Sequence, residues 1–344
     1  VLLRLDAPTY ETLIGVGAHV AQLKKQLVAS DPPWVVAIEG MGGLGKTALA
    51  DDVMRHLIAE YSFADFAWVT MRQQHLGLDG TIFARAQPLQ TVQAMVDALA
   101  AQLSEHDPLV TTLTYEKKLA FLEGRFHQHP HLVVIDNLET FKDLQEWLPL
   151  LRRWVNPTKF LLTSREHVAR DGSVFPFVLP ELHQADALAL IRQESTLRNL
   201  SHLATIADAQ LLPIYEVVGG NPLAIRLVVG QLYAHDFDLV LGDLIHARGA
   251  KAEALYSYIY QQAWSRLDDL ARQVWLTMPL LIGDYATVDN LGEVSGLAEM
   301  DVRNALEILA TQNLINCHGT YNAHYYTLHS LTQTFLQEQV AKWD

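Results

Sequence analysis

Residues 40–47 read Gly-Met-Gly-Gly-Leu-Gly-Lys-Thr. The spacing G-x-x-x-x-G-K-[ST] lets a glycine-rich turn converge successive backbone N–H groups on phosphate oxygens. Gly40, Met41, Gly42, Gly43, Leu44 and Gly45 would form the cradle, and Ala48 would complete its set of backbone groups. The Lys46 ammonium can reach β- and γ-phosphates, and the Thr47 hydroxyl can ligate Mg²⁺. A second acid–metal element is His131-Leu132-Val133-Val134-Ile135-Asp136, an apolar strand ending in a carboxylate. Behind a complete phosphate loop, Asp136 is placed to hold Mg²⁺ directly or through water. Asn137 follows where many hydrolases of this class carry a water-activating acid, and Glu139 is a candidate displaced base. An amide orients water but cannot accept its proton at neutral pH, so slow hydrolysis is expected. A third element, Lys159-Phe160-Leu161-Leu162-Thr163-Ser164-Arg165, delivers hydroxyls and a guanidinium to one strand end. Arg165 can meet a γ-phosphate with two parallel donors and so report its presence.

These groups need a scaffold that brings strand ends to one edge. Trp34–Ile38, Phe66–Thr70, Leu132–Asp136, Phe160–Ser164 and Val174–Leu179 read as strands. Helices are expected at Ala48–Glu60, Leu89–Ser104, Tyr115–Gln128 and Phe141–Trp154. Leu49, Val53, Leu57 and Ile58 give the first of these helices an apolar face. The alternation predicts an α/β fold, a parallel sheet with helices on both faces and ligands at its carboxyl edge. From Pro180 the strand signals stop. Ala185–Gln193 and Ala207–Val218, the latter kinked or restarted at Pro213, predict an all-α region. Gly219-Gly220-Asn221-Pro222 breaks the pattern, another helix starts at Leu223, and a helical connection spans Ala250–Leu255. Tyr256–Arg266, Leu270–Thr277, Ala286–Ser295 and Asp301–Thr311 then read as helices. Strands Leu314–Cys317 and Tyr325–Leu328 about a Gly319-Thr320 turn, and a helix over Ser330–Ala341, resemble a winged helix.

Length and composition agree with a multidomain globular chain: 344 residues, half hydrophobic and 19% charged. The single cysteine, Cys317, fits a reducing, cytoplasmic setting. No apolar run reaches the roughly 18 residues of a membrane span. Val1-Leu2-Leu3-Arg4 carries neither an initiator Met nor a signal-peptide layout, and reads as the start of a piece of a longer polypeptide. A net charge of −14 disfavours non-specific nucleic-acid binding. From Tyr256 to Asp344, Arg266, Arg272, Arg303 and Lys342 face ten acids, which gives a packing role to the winged helix rather than DNA binding. His127-Gln128-His129-Pro130-His131 lacks a second ligand cluster and reads as a solvated loop rather than a metal site. There is no N-K-x-D guanine-reading motif.

In order, Gly40–Thr47, Leu132–Asp136, Lys159–Arg165, Gly220-Asn221-Pro222-Leu223-Ala224 and Leu328-His329-Ser330 resemble the NB-ARC type of STAND NTPases. These are the apoptosome scaffold, plant disease-resistance receptors and bacterial regulators and defence proteins. The resemblance runs from about Thr12 to the end. It implies a segment at 1–30 leading into the adenine pocket, a nucleotide-binding domain at 31–180, a helical domain at 181–252 and a winged helix at 253–344. It implies ATP and ADP with Mg²⁺ as ligands, and self-association through the core in the ATP state. Effector and sensor domains would lie outside this sequence, and neither nucleic acid nor membrane is an implied partner. Gly220–Leu223 matches the family's G-L-P-L, so Pro222, with Leu223, would pack on adenine. Leu13-Ile14-Gly15 matches the segment lining the adenine pocket. His329 matches the M-H-D histidine that meets the ADP β-phosphate. Val16 and Gly17 replace the family's usual Arg and Glu, and Leu328 and Ser330 replace its Met and Asp; loss of that Asp would loosen the closed state. The rival readings are an initiator-like AAA+ ATPase on DNA and the core of a transcriptional regulator of the same superfamily.

Overall fold

The structure, a computed structural model, describes residues 4–5, 8, 10, 12–60, 63–71, 75–76, 82–83, 91–104, 107–138, 141, 143–165, 167–168, 172–234, 236–237, 239–240, 260–261, 263–281, 286–312, 314–320, 323–328, 332 and 335–336. The chain divides into two compact units, residues 1–180 and 181–344.

The first unit runs α1 (Gly17–Val28), β1 (Val35–Glu39), α2 (Lys46–Ala59) and β2 (Asp65–Thr70). A short antiparallel pair follows, β3 (His75–Leu76) with β4 (Ile82–Phe83). Then come α3 (Val92–Leu103), α4 (Pro108–Thr111), α5 (Tyr115–Gln128), β5 (His131–Asp136), α6 (Leu144–Trp154), β6 (Lys159–Ser164) and β7 (Phe175–Val178). Five strands form one parallel sheet in the order β2-β5-β6-β1-β7. The phosphate-loop strand β1 and the acid-bearing β5 are therefore separated by β6. Strands β1, β5 and β6 are buried throughout, as expected when helices cover both faces. Alternation splits their side chains. Val35, Ala37, Val133, Ile135, Phe160 and Leu162 pack with α3, α5 and α6; Val36, Ile38, Leu132, Val134 and Leu161 pack with α1 and α2.

The expected strands and helices of this unit are present, Tyr115–Gln128 with both ends as expected and the others with an end moved by at most three residues. The third helix starts at Val92 because the Thr91 hydroxyl caps it, accepting from Ala94 N–H at 3.2 Å. Leu89 and Gln90 lie outside the described residues.

The second unit has α7 (Gln184–Leu197), α8 (Ser201–Thr205), α9 (Asp208–Val218) and α10 (Pro222–Ala234). The α9 helix continues through Pro213, which neither ends nor restarts it. Beyond lie α11 (Asp269–Thr277), α12 (Val288–Ser295), α13 (Glu299–Thr311) and the hairpin β8 (Asn316–Thr320) and β9 (Ala323–Thr327). Two expectations are corrected here. Ala286 is not helical but bridges to Tyr326, because Thr287 caps α12 through a reciprocal bond pair with Asn290. Gly319 and Thr320 are not the turn: they pair with His324 and Ala323, so both belong to β8. The helical connection at 250–255 lies outside the described residues, as do 256–259, 262 and most of 330–341. No helix among the described residues is long and apolar enough to cross a membrane.

His131 starts β5 fully buried, its Nδ1 2.7 Å from His129 O and its ring edge-on to Phe126. Burial lowers its pKa from the ordinary value of 6.5, outweighing the bond to His129. The unfolded chain therefore takes up this proton first as pH falls. Stability contributed by neutral His131 is complete above about 6.5 and is lost as pH drops through its lowered folded value. Substituting His131→Gln should flatten the decline of unfolding free energy below pH 6.5, measured by urea titration across pH. An unchanged slope would show that the imidazole takes up its proton alike in the folded and unfolded chain.

Candidate functional site

Gly40 leaves β1 with φ +151°, and an added Cβ would stand 2.9 Å from Leu179 O. Only glycine passes that point without displacing backbone. Gly45 ends the loop at φ 89° and hands over to α2, whose first residue is Lys46. The loop therefore meets a helix N-terminus, the arrangement that favours a bound anion. The Lys46 Nζ donates to Gly40 O at 2.8 Å and Met41 O at 2.9 Å, spanning the loop's entrance. Leu44 is buried in the core on the α2 side of the sheet, while Met41 faces solvent.

Asp136 is the hub of the site. It ends β5 at 1% exposure, and a carboxylate so buried must be bonded to remain charged. Oδ1 accepts from the Thr47 hydroxyl at 2.6 Å and the Thr163 hydroxyl at 2.7 Å; Oδ2 accepts from Thr70 at 3.3 Å. Thus β2, β5, β6 and the phosphate-loop helix all meet at one side chain. Hydroxyl and carboxylate oxygens are a donor set suited to Mg²⁺, and Thr47 and Asp136 are the residues that could hold it.

Asn137 has φ 65° and donates its N–H to Thr163 Oγ1 at 2.9 Å. Among non-glycine residues asparagine adopts this left-handed geometry most readily, so the backbone gives its own reason for an amide here. Arg165 follows β6 directly and is half-buried at the same edge. Glu139 and His329 lie outside the described residues. Pro222 and Leu223 belong to the second unit. There Asn221 caps α10, its Oδ1 accepting from Leu223 N–H at 3.0 Å, with Pro222 as the first helical residue. A Cβ on Gly220 would stand 1.9 Å from Leu182 O, so glycine is required where these two backbones cross.

Ile14 is half-buried in the segment before α1. That segment is tied to α2 by the Tyr10 hydroxyl, which donates to Asp51 Oδ2 at 2.7 Å while Arg55 Nε donates to the same oxygen at 2.8 Å. Burial and then the Asp51 carboxylate push the Tyr10 pKa far above the ordinary phenol range. A cavity of about 590 Å³, lined by Trp34, Leu151, Val155, Val174 and Pro176 among others, lies at the amino ends of the strands. Its apolar walls have no bearing on phosphate recognition, which needs the backbone amides of the carboxyl edge.

Sequence reasoning marked Asp136, Thr47 and the hydroxyls of β6, but did not join Thr163 to Asp136. Thr70 was missed entirely. Only the strand order could have found it, because it alone sets which strand ends are neighbours.

Fold and loop together define a P-loop NTPase-type nucleotide-binding domain. The NB-ARC domain model matches residues 16–200, and the chain belongs to that family. It is 30% identical over 235 residues to the inactive disease susceptibility protein LOV1 of Arabidopsis thaliana, covering 64% of this chain and 24% of the relative. It is 29% identical over 231 residues to disease resistance RPP8-like protein 3 of the same plant, covering 64% and 23%. The chain thus spans about a quarter of the length of these curated relatives. A STAND protein with a tetratricopeptide repeat sensor from Pyrococcus horikoshii shares the fold at a TM-score of 0.63 and 15% identity, over 97% of this chain and 44% of that one.

Thr163→Val keeps the shape of the side chain but leaves Asp136 short of a donor and Asn137 N–H without its acceptor. It should cost about 1–3 kcal/mol of stability, read by denaturant unfolding of the whole chain. No loss would mean that the two bonds are not made in solution.

Proposed function

We propose that this chain is the nucleotide-operated switch of a larger signalling, regulatory or defence protein. ADP holds a closed form; ATP opens it for self-association through the nucleotide-binding core. The observation that carries the reading is the Thr47–Asp136 contact at 2.6 Å, which couples the phosphate-loop helix to the acid of β5. Lys46 and the loop amides bind the phosphates, and Thr47 and Asp136 would hold Mg²⁺, which would neutralise charge on the phosphate oxygens. Arg165 favours a γ-phosphate. Asn137 leaves hydrolysis without a proton acceptor at the usual position, so turnover is slow and the bound nucleotide acts as a timer; Glu139 is the displaced candidate.

The remaining contacts follow the family resemblance. Ile14 lines the adenine pocket, Pro222 and Leu223 pack on the base from the helical domain at 181–252, and His329 meets the β-phosphate from a winged helix at 253–344. Helices α11 to α13 followed by the β8–β9 hairpin support the winged-helix reading. A switch needs differential affinity of two nucleotides for two arrangements. His329 supplies one arm and Arg165 the other.

The protein should therefore purify with ADP, identified by chromatography of the heat-denatured supernatant. His329→Ala should speed ADP release while leaving the melting temperature of the nucleotide-free chain within about 2 °C. GDP in the supernatant, or unchanged ADP release beside a lowered melting temperature, would contradict the switch.

A further inference from the structure

Glu39 ends β1 and directly precedes Gly40, yet it takes no part in the phosphate chemistry above. Glu39 is 7% exposed, and both carboxylate oxygens are bonded to the chain that leaves β6. Oε1 accepts Val168 N–H at 3.1 Å, and Oε2 accepts His167 Nδ1–H at 2.7 Å. In the β1–β6 ladder the partner of Glu39 is Ser164. The chain that carries Arg165 thus leaves the ladder opposite Glu39 and is caught again, at 167–168, by the side chain of the same residue. Glu39 is held from its other side as well, its main-chain oxygen accepting Leu179 N–H at 2.8 Å. The start of the phosphate loop and Arg165 therefore share one anchor.

We propose that Glu39 and His167 are positioning residues for γ-phosphate recognition, fixing the backbone of Arg165 relative to Gly40. The proposal rests on the reading of Arg165 as the γ-phosphate contact. A guanidinium discriminates one phosphate only if its base is held to about half an ångström, and a strand-end loop without this clasp would let it drift. A carboxylate suits the task because it accepts two donors at once, one from the backbone and one from an imidazole. It has negligible exposure to lose them to water. Neither residue needs to touch nucleotide. Their effect should therefore fall on the third phosphate alone, because the α- and β-phosphates are met by the loop and Lys46.

Calorimetry with ADP and with the β,γ-methylene analogue of ATP, on the whole chain, tests this with Arg165→Ala, His167→Ala, Glu39→Gln and the Arg165→Ala/His167→Ala double variant. His167 is the cleaner site, since its side chain is 43% exposed and its loss leaves the core intact. His167→Ala and Glu39→Gln should each weaken the analogue about three- to tenfold and leave ADP within about twofold; His167→Ala should add nothing once Arg165 is gone. Equal loss for both nucleotides, no loss for either, or full additivity with Arg165→Ala would overturn the positioning role. If Arg165→Ala itself fails to weaken the analogue selectively, the reading of Arg165 falls and the proposal with it. That result differs from one in which Arg165 matters and its clasp does not.

Discussion

The buried carboxylate of Asp136 is the constraint around which the first unit is organised. It is nearly free of solvent and is bonded by hydroxyls from Thr47, Thr70 and Thr163. Removing charge from water is tolerable only when donors replace the lost hydration. These three must come from different strands and from the phosphate-loop helix. The strand order β2-β5-β6-β1-β7 makes this possible, because it places β6 between the loop strand and the acid strand and β2 on the acid strand's other side. The same bonds that make the charge affordable hold the loop, the acid and the Arg165 strand end in register. Structure and site are consequences of one interaction.

Much of this could be read from residues alone. The loop is a local motif, and fully apolar runs such as Val35–Ile38 and Leu132–Ile135 announce strands covered on both faces. What could not be read is adjacency. Nothing in the sequence says that Thr163 lies beside Asp136 or that Thr70 shares it, since both facts depend on the order of strands. Asn137 shows a different limit. As a residue type it signals a missing base, whereas its φ of 65° shows that a backbone requirement selects the same side chain. The hairpin turn lies beyond Gly319-Thr320 because glycine is a turn signal only when the register permits. Here the pairing of Thr320 with Ala323 carries Gly319 into the strand.

The second unit illustrates how backbone approach shapes sequence. Gly220 crosses Leu182 too closely for any side chain, and Leu182 N–H donates to Gly220 O at 2.8 Å. A Cβ on Gly230 of α10 would stand 2.3 Å from Gln312 O, just past α13. Arg198 reaches the same region through Thr311 O at 3.2 Å while pairing with the buried Glu194. The Gly-Asn-Pro-Leu sequence, read by resemblance as a base contact, therefore also meets purely local demands: a crossing, a cap and a helix start.

The central claim is that Asp136 and Thr47 together form the metal-binding centre through which the phosphate loop engages nucleotide. Its most direct test is the gain in ADP affinity produced by Mg²⁺, measured by calorimetry with and without the ion, in the native chain and in Asp136→Ala. The account predicts that Mg²⁺ tightens ADP binding in the native chain, and that this gain disappears in the variant. A Mg²⁺ gain of equal size in Asp136→Ala would contradict it.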